Sequence, residues 1–288
     1  MSKSKVYFIK DINSENIVKL YKKLNVSLKE KVAVKVHSGE KGNQNYLRPE
    51  FLEDIINYVN GTVVECNTAY EGERNTTEKH KKLMKEHGWS NLYDVDILDE
   101  DDEIELDING GNIIKKNYVG KNIDKYDAML VISHFKGHPM GGYGGALKNI
   151  SIGLASSYGK AYIHGAGNPK RIWTADHNLF LESMADACIS IMDYFKDNIA
   201  FINIMCNMSV DCDCCKKAED PCMNDIGILA SLDPVALDKA CIDLVYNSND
   251  PGKDHLIERI ESRNGTFTID KAEEKNIGTT DYELIELD

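Results

Sequence analysis

Short apolar runs typical of strands alternate with longer segments in which apolar residues recur every three or four positions, and this alternation constrains the fold most. Residues Lys31–His37 have a valine at every second position, whereas Ser14–Leu24 has its apolar residues on one helical face. Strand patterns recur at residues 61–66, 95–98, 127–133, 199–205 and 226–230, and helical patterns begin near Pro49, Thr76, Asp176 and Pro234. The order predicts an α/β fold with a mixed, largely parallel sheet flanked by helices.

The chain is predicted to be a single unit over residues 1–288, with lobes of about residues 1–132 and 133–288 and a cleft between them. Residues 104–108 and 112–118 are predicted to pair as a hairpin, because Asn109-Gly110 favours a tight turn. Ligands gather at the carboxyl ends of parallel strands. We therefore expect the loops that begin at His37, His134 and Cys206 to converge.

The charge balance excludes two classes of partner. A formal net charge of −13 argues against nucleic acid or an anionic membrane, since both require a basic face. The sequence has neither a stretch of membrane-helix length nor a signal-peptide core near Met1–Lys10, so we expect a cytoplasmic protein. A local pocket for a small anionic ligand remains compatible with the charge, and the sequence leaves the oligomeric state open.

A glycine-rich segment, His134–Asn149, carries the most unusual chemistry. It contains two histidines, two lysines and five glycines in sixteen residues, directly after an apolar strand. It lacks the Gly-Lys-Ser/Thr ending of a P-loop and the third glycine of a dinucleotide fingerprint. Its backbone N–H groups are expected to form an anion nest, with Lys136, Lys148 and Lys160 adding positive charge.

Two sets of candidate site residues follow from this segment and from the other strand ends. His134 and His138 are candidates for metal ligation or acid–base catalysis. The residues predicted to be catalytic are His134, His138, Lys148, His37 and Lys35. The residues predicted to bind the ligand are Arg48, Arg74, Asn67, Lys136, Gly144, Gly145, Lys160 and His164.

The third unusual segment is a cysteine loop of seventeen residues with five candidate metal ligands, namely Cys206, Cys212, Cys214, Cys215 and Cys222. Thiolates favour zinc or iron–sulfur clusters, yet the spacing is that of neither a zinc ribbon nor a bacterial ferredoxin. The alternatives are a redox-active dithiol, a structural zinc site or free thiols. The other cysteines, Cys66, Cys188 and Cys241, are predicted to be buried thiols.

Several of these stretches together resemble a known family. They are Lys35–His37 with Gly39-Glu40 and Leu47–Pro49, Gly72–Arg74, His134–His138, Gly142–Asn149, Gly159-Lys160 with His164, Cys212–Cys214, and Asp225–Asp238. The chain is identified by them as a member of domain-of-unknown-function family 362, often labelled uncharacterised iron–sulfur centre proteins. Many members carry a ferredoxin-like insert after the position of His164. This chain has no cysteine between Cys66 and Cys188, so that insert is absent.

The step from His138 to Lys148 is also similar to the tether loop of the lactate racemase family, which uses a nickel-pincer nucleotide bound to a lysine. That resemblance implies that Lys148 is a tether or cofactor contact. It implies that His134 or His138 is a metal ligand or proton-transfer group.

These observations favour a metal- or cofactor-dependent enzyme, of redox or isomerase type, that acts on a small anionic ligand at the His/Lys/Gly-rich site. The cofactor is not specified by the sequence, and a metal ion or iron–sulfur cluster is the expectation. The alternative is a non-catalytic metal or iron–sulfur carrier that uses the Cys206–Cys222 loop.

Overall fold

The computed structural model describes residues 3–288, which contain twelve strands and ten α-helices. The strands are β1 (Ser4–Ile9), β2 (Val32–Lys35), β3 (Gly61–Glu65), β4 (Val95–Ile97), β5 (Glu103–Asp107), β6 (Lys116–Gly120), β7 (Ala128–His134), β8 (Lys136–His138), β9 (Gly142–Gly144), β10 (Ile199–Met205), β11 (Gly227–Ser231) and β12 (Tyr282–Glu286). The helices are α1 (Ser14–Lys23), α2 (Glu53–Tyr58), α3 (Thr77–Glu86), α4 (Trp89–Leu92), α5 (Ala146–Ser151), α6 (Ser157–His164), α7 (His177–Phe195), α8 (Pro234–Asn247), α9 (Lys253–Ser262) and α10 (Phe267–Glu274). Within the described residues, none of these helices is long and apolar enough to cross a membrane.

Eight strands form one sheet in the order β12-β1-β11-β10-β7-β2-β3-β4. Each neighbouring pair is parallel except the two pairs that involve β11, so seven strands run one way and β11 runs against them. The predicted mixed, largely parallel α/β sheet is therefore confirmed. Strands from both sides of residue 132 belong to this sheet, and the division into lobes stays a prediction.

The sheet separates two apolar layers because successive side chains of a strand point to opposite faces. On β3, Val63 packs with the helices α1 and α2 on one face, whereas Val64 packs into the other layer. The central strands β7 and β10 are buried along their whole length, which explains why they appear as continuous apolar runs in the sequence.

The ends of the helices follow local sequence signals. Asp176 caps α7 by accepting a hydrogen bond from the backbone N–H of Leu179 at 3.1 Å, as its position predicts. Gly88 ends the α3 segment with a φ of +91°, a conformation that glycine adopts without steric cost. Pro49 begins a 3₁₀ turn, Pro49–Leu52, which leads directly into α2.

The predicted hairpin is present as the antiparallel pair β5–β6, but its second strand begins later than expected. The connection runs from Ile108 to Lys115. The carboxylate of Asp186 on α7 accepts the backbone N–H groups of Asn112, Ile113 and Ile114 at 3.0, 2.6 and 3.0 Å. These N–H groups are therefore held by a helix instead of by a partner strand.

Candidate functional site

A cavity of about 340 Å³ lies at the carboxyl ends of the adjacent parallel strands β2, β7 and β10. His37 follows β2, His134 ends β7, and Cys212 belongs to the loop after β10; all three line this cavity. The convergence of the three loops is thus confirmed, and it has a simple cause. Parallel neighbours end at the same edge of a sheet, so the segments that follow them meet there.

Thirteen of the predicted site residues line the cavity, and five do not. Those in the lining are Lys35, His37, Arg74, His134, Lys136, His138, Gly144, Gly145, Lys148, Lys160, His164, Cys212 and Cys214. Those outside it are Arg48, Asn67, Cys206, Cys215 and Cys222.

Arg48 and Asn67 are engaged elsewhere. The guanidinium of Arg48 lies 3.9 Å from the ring centre of Tyr46 and is exposed. The amide of Asn67 donates to the hydroxyl of Thr77 at 2.9 Å, and its oxygen lies 3.3 Å from the ring of His80. Both side chains therefore hold loops in place around the cavity and do not face it.

A buried ion-pair network forms one wall. The ammonium of Lys35 lies 2.7 Å from Glu65 and also contacts the carbonyl of Val36. Glu65 also accepts the backbone N–H of Ser38 at 2.8 Å, while Arg74 pairs with Glu40 at 3.3 Å. Burial alone raises the pKa of Glu65, but the surrounding cations, Lys35 first, hold it well below its ordinary value. Lys35 is thereby fixed as a structural cation.

Asp213, which was not among the predicted site residues, organises a second charged cluster beside the cavity. Its carboxylate lies 2.9 Å from the ammonium of Lys136 and 2.9–3.0 Å from Nδ1 of His134. Nε2 of His134 faces the carbonyl of Cys206 at 2.6 Å. Both ring nitrogens of His134 therefore face oxygen atoms of the protein, and neither is turned toward an open position for a metal ion.

His138 and His37 have the opposite arrangement. Nδ1 of His138 accepts the backbone N–H groups of Met140 and Gly141 at 3.1 and 2.8 Å. Nδ1 of His37 accepts the N–H of Gly39 at 3.1 Å. In a neutral ring the proton must then be on Nε2, and burial keeps both rings neutral: it lowers the pKa of His37 and, with the Lys148 cation, lowers that of His138 to about 4.

Lys148 and His164 are two polar groups of the cavity lining that the protein leaves available to a ligand. Nδ1 of His164 donates to the carbonyl of Lys160 at 2.7 Å, so Nε2 keeps a free lone pair. Burial and the Lys148 cation lower the pKa of His164 to about 4. Lys35, Arg74 and Lys136 are each paired with a carboxylate, but within residues 3–288 no such partner holds the Lys148 ammonium.

Lys160 is a buried lysine held by one backbone carbonyl, that of Ala155, at 2.5 Å. Burial lowers its pKa. Lys160 is a second lysine of the lining that no carboxylate in the described residues pairs, and it is more buried than the partly exposed Lys148.

The expected anion nest in the glycine-rich segment is filled by the protein itself. The N–H groups of Ala146 and Leu147, at the start of α5, donate to the carboxylate of Asp238 at 2.8 and 3.0 Å. A Cβ added at Gly145 would lie 2.4 Å from that carboxylate, which explains the glycine there. A ligand in this cavity therefore meets lysine side chains and not these backbone N–H groups.

The cysteine loop contributes two thiols to the cavity. Among the described residues, one group has metal-ligand atoms within 4.8 Å of one another, and it consists of His138, Cys212 and Cys214. Cys222 donates instead to the carbonyl of Met208 at 3.2 Å, and Cys206 is buried with its pKa raised to about 12 by desolvation. All eight cysteines are free, and Cys66, Cys188 and Cys241 are buried as predicted.

This group fits a metal ion poorly because of its imidazole. A ligating histidine offers one lone pair and donates its other N–H to an acceptor. The lone pair on Nδ1 of His138 already faces two backbone N–H groups, so the proton of the ring is on Nε2. Nε2 lies 3.9 Å from Sγ of Cys214 and presents that proton to the thiol. Two thiols without an available imidazole lone pair fall short of the three or four ligands of a zinc site.

The fold and the site define an α/β protein with a cavity lined by lysines, imidazoles and thiols at the carboxyl edge of a largely parallel sheet. Residues 32–243, more than half of the chain, match the family model described as "Domain of unknown function (DUF362)". The chain belongs to that family, which confirms the resemblance seen in the sequence.

Solved structures that are similar to this chain include the following two. One is the lactate racemase apoprotein from Thermoanaerobacterium thermosaccharolyticum, with 19% identity and a TM-score of 0.43 over 69% of this chain and 50% of that one. The other is a protein from Thermotoga maritima, with 13% identity and a TM-score of 0.45 over 91% of this chain and 58% of that one. The chain thus spans half to just over half of their lengths. No curated protein matches it.

Proposed function

We propose that the protein is an enzyme that acts on a small anionic substrate, with Lys148 as the substrate's counter-ion and with His138 and His164 as its acid–base groups. The observation that carries the proposal is the state of Lys148. Lys148 lines a cavity in which Lys35, Arg74 and Lys136 are already paired with carboxylates. Lys148 is partly buried, and a cation that is withdrawn from solvent without a partner is destabilising, so an anionic ligand would offset that loss.

The dimensions of the cavity favour a small substrate. A volume of about 340 Å³ lies at the low end of the range for small-molecule sites. A carboxylate or phosphate group at Lys148 would occupy part of this volume and leave the rest for the body of a small substrate beside the two imidazoles.

The two imidazoles are matched to proton transfer of the isomerase type. His164 offers a lone pair at Nε2, whereas His138 offers a proton there. The Lys148 cation contributes to lowering the pKa of each ring to about 4. An anion at Lys148 offsets that cation and so raises both pKa values toward neutrality, where an acid–base group is most effective.

The contacts support the alternative function, a metal or iron–sulfur carrier, less well than they support an enzyme. Of the five thiols in the Cys206–Cys222 loop, Cys212 and Cys214 line the cavity. Cluster binding by cysteine needs about four thiolates that converge.

Calorimetric titration with acetate, oxalate and inorganic phosphate tests the proposal. Lys148→Gln should weaken binding at least about tenfold, because a charge-assisted hydrogen bond contributes about 1.5–3 kcal/mol. The matched control is Lys217→Gln, since Lys217 is an exposed lysine of the cysteine loop outside the cavity lining. Equal affinity in the two variants, or no binding of any of these anions to the unaltered protein, would overturn the proposal.

A further inference from the structure

We infer that the amine of Lys160 forms an imine with the carbonyl group of a small oxo acid, a compound that carries a carboxylate beside a ketone or an aldehyde. The inference rests on the proposed function for the carboxylate, which Lys148 would hold, but the reactivity of the amine has its own evidence. Lys160 lines the cavity and is 7% exposed, so a ligand in the cavity lies against a side chain that bulk solvent scarcely reaches.

The first line of evidence is how the end of the Lys160 side chain is held. Its nitrogen donates to the backbone carbonyl of Ala155 at 2.5 Å. A carbonyl fixes the side chain without supplying a full negative charge, and it leaves the nitrogen lone pair free once the amine has lost its proton. Two other buried lysines of the cavity, Lys35 and Lys136, are instead held as cations by carboxylates at 2.7 and 2.9 Å.

The acidic neighbours of Lys160 are engaged with other groups. The carboxylate of Asp99 accepts two backbone N–H groups at 2.8 and 2.9 Å, and Glu65 pairs with Lys35 at 2.7 Å. The Cys66 thiol donates to a backbone carbonyl at 3.3 Å, and burial raises its pKa to about 12, so it is neutral. Burial therefore lowers the pKa of Lys160, which raises the share of neutral amine, the form that attacks a carbonyl carbon.

Lys148 and Lys160 are placed to bind one small molecule together. Lys160 lies on α6, and His164 lies one turn later, where its Nδ1 donates to the Lys160 carbonyl at 2.7 Å. Burial, with the positive charges of Lys148 and Lys160, lowers the pKa of His164 to about 4, so both lysine side chains end near this ring. The cavity of about 340 Å³ therefore offers a cation and an amine to the two ends of a short oxo acid.

Imine formation needs neither a cofactor nor an oxidant. The neutral amine attacks the carbonyl carbon, a C–N bond forms, and the electron pair of the C=O double bond moves to the oxygen. Two protons pass from the nitrogen to the oxygen, which leaves as water while the nitrogen lone pair completes the C=N bond. The electron-poor imine acidifies the neighbouring C–H bond, which is where the acid–base groups proposed for this cavity would act.

The test traps the imine on the unaltered protein with sodium cyanoborohydride. A hydride adds to the imine carbon and a proton from water adds to the nitrogen, which leaves a stable secondary amine. Pyruvate is compared with pyruvamide, its neutral counterpart of similar size, and peptide mass spectrometry gives the labelling rate of each lysine. Lys196, exposed and outside the cavity lining, serves as the internal reference for an ordinary lysine.

Pyruvate should label Lys160 faster than it labels Lys196. The pyruvate-to-pyruvamide ratio at Lys160, divided by the same ratio at Lys196, should be about tenfold or more, since positively charged clefts concentrate anions by such factors. Lys148→Gln should remove most of this preference, whereas Lys217→Gln should keep it. The melting temperature of each variant controls for folding.

Two results would overturn the inference, and they separate it from the proposed function. If Lys160 is labelled no faster than Lys196, or if Lys148 takes the label in its place, Lys160 does not form the imine, even where anions bind at Lys148. If Lys160 is labelled rapidly by both reagents and Lys148→Gln changes nothing, the amine is reactive but the anionic class of substrate is wrong, and the proposed function fails with it.

Discussion

Asp213 is the residue whose replacement tests the architecture of the site most severely. It lies between Cys212 and Cys214, and its carboxylate is 1% exposed. The substitution Asp213→Asn keeps the shape of the side chain but removes its charge. The ammonium of Lys136, now 2.9 Å from an amide, and the His134 ring then lose the carboxylate that balances them. We expect the loss of unfolding free energy to be about 3–5 kcal/mol, the cost of breaking a buried ion pair from one side.

The matched control is Asp211→Asn, two residues earlier in the same loop. Asp211 pairs with Arg259 at 3.2 Å, but both side chains are about one-fifth exposed, so solvent screens the pair. That change should cost at most about 1 kcal/mol. Urea denaturation of the two variants gives both values, and equal losses would refute the account of Asp213.

The effect of Asp213→Asn should also depend on pH. Although burial alone raises the pKa of Asp213, the positive charges of His134 and Lys136 hold it well below its ordinary value. The stabilisation is therefore fully present above the unfolded pKa of about 3.9 and is lost as the pH falls through the folded pKa. The stability difference between the unaltered protein and the variant should narrow in acid; a constant difference would mean that the carboxylate charge is not responsible.

Three further predictions follow from the site. Lys148→Gln should raise the pKa of His138 and of His164 above their values of about 4, as measured by NMR titration of the ring protons; unchanged values would contradict the proximity of the cation. Gly145→Ala would place a Cβ 2.4 Å from a carboxylate oxygen of α8 and should cost about 1–3 kcal/mol in urea denaturation, whereas Gly144→Ala, with its nearest atom at 3.6 Å, should cost clearly less. Protein purified without oxygen should lack the visible absorption of an iron–sulfur cluster, because the loop brings two of its five thiols into the cavity.

The central sheet was predictable because buried parallel strands leave continuous apolar runs. The observed β10, Ile199–Met205, has the predicted bounds, and β7 differs by one residue at each end. Of the two edge strands, β4 was predicted at residues 95–98, whereas β12 was not. β12 is five residues long, and its residues Glu283 and Leu284 are exposed. It pairs with β1, which lies at the other end of the sequence. Pairing between such distant segments has no local signal.

The candidate site was predictable at the level of loops but not of side-chain contacts. Strand order alone brings His37, His134 and Cys212 to one edge of the sheet. Which groups remain free for a ligand depends on partners far along the chain. Asp213 occupies His134, which lies 79 positions before it, and Asp238 occupies the N–H of Leu147, 91 positions before it. The spacing of the histidines and lysines in the sequence therefore could not predict that these carboxylates contact them.

The most direct test of the central claim is an NMR titration of the histidine rings with oxalate at constant pH, in protein with isotopically labelled histidine. The signals of His138 and His164 should move as oxalate is added, and a pH titration repeated with saturating oxalate should show that the pKa of each ring has risen above about 4. The ring of His255, exposed and outside the cavity, should not respond. If oxalate leaves both cavity histidines unchanged, or moves them equally in the Lys148→Gln protein, Lys148 does not bind an anion beside them and the proposed function is wrong.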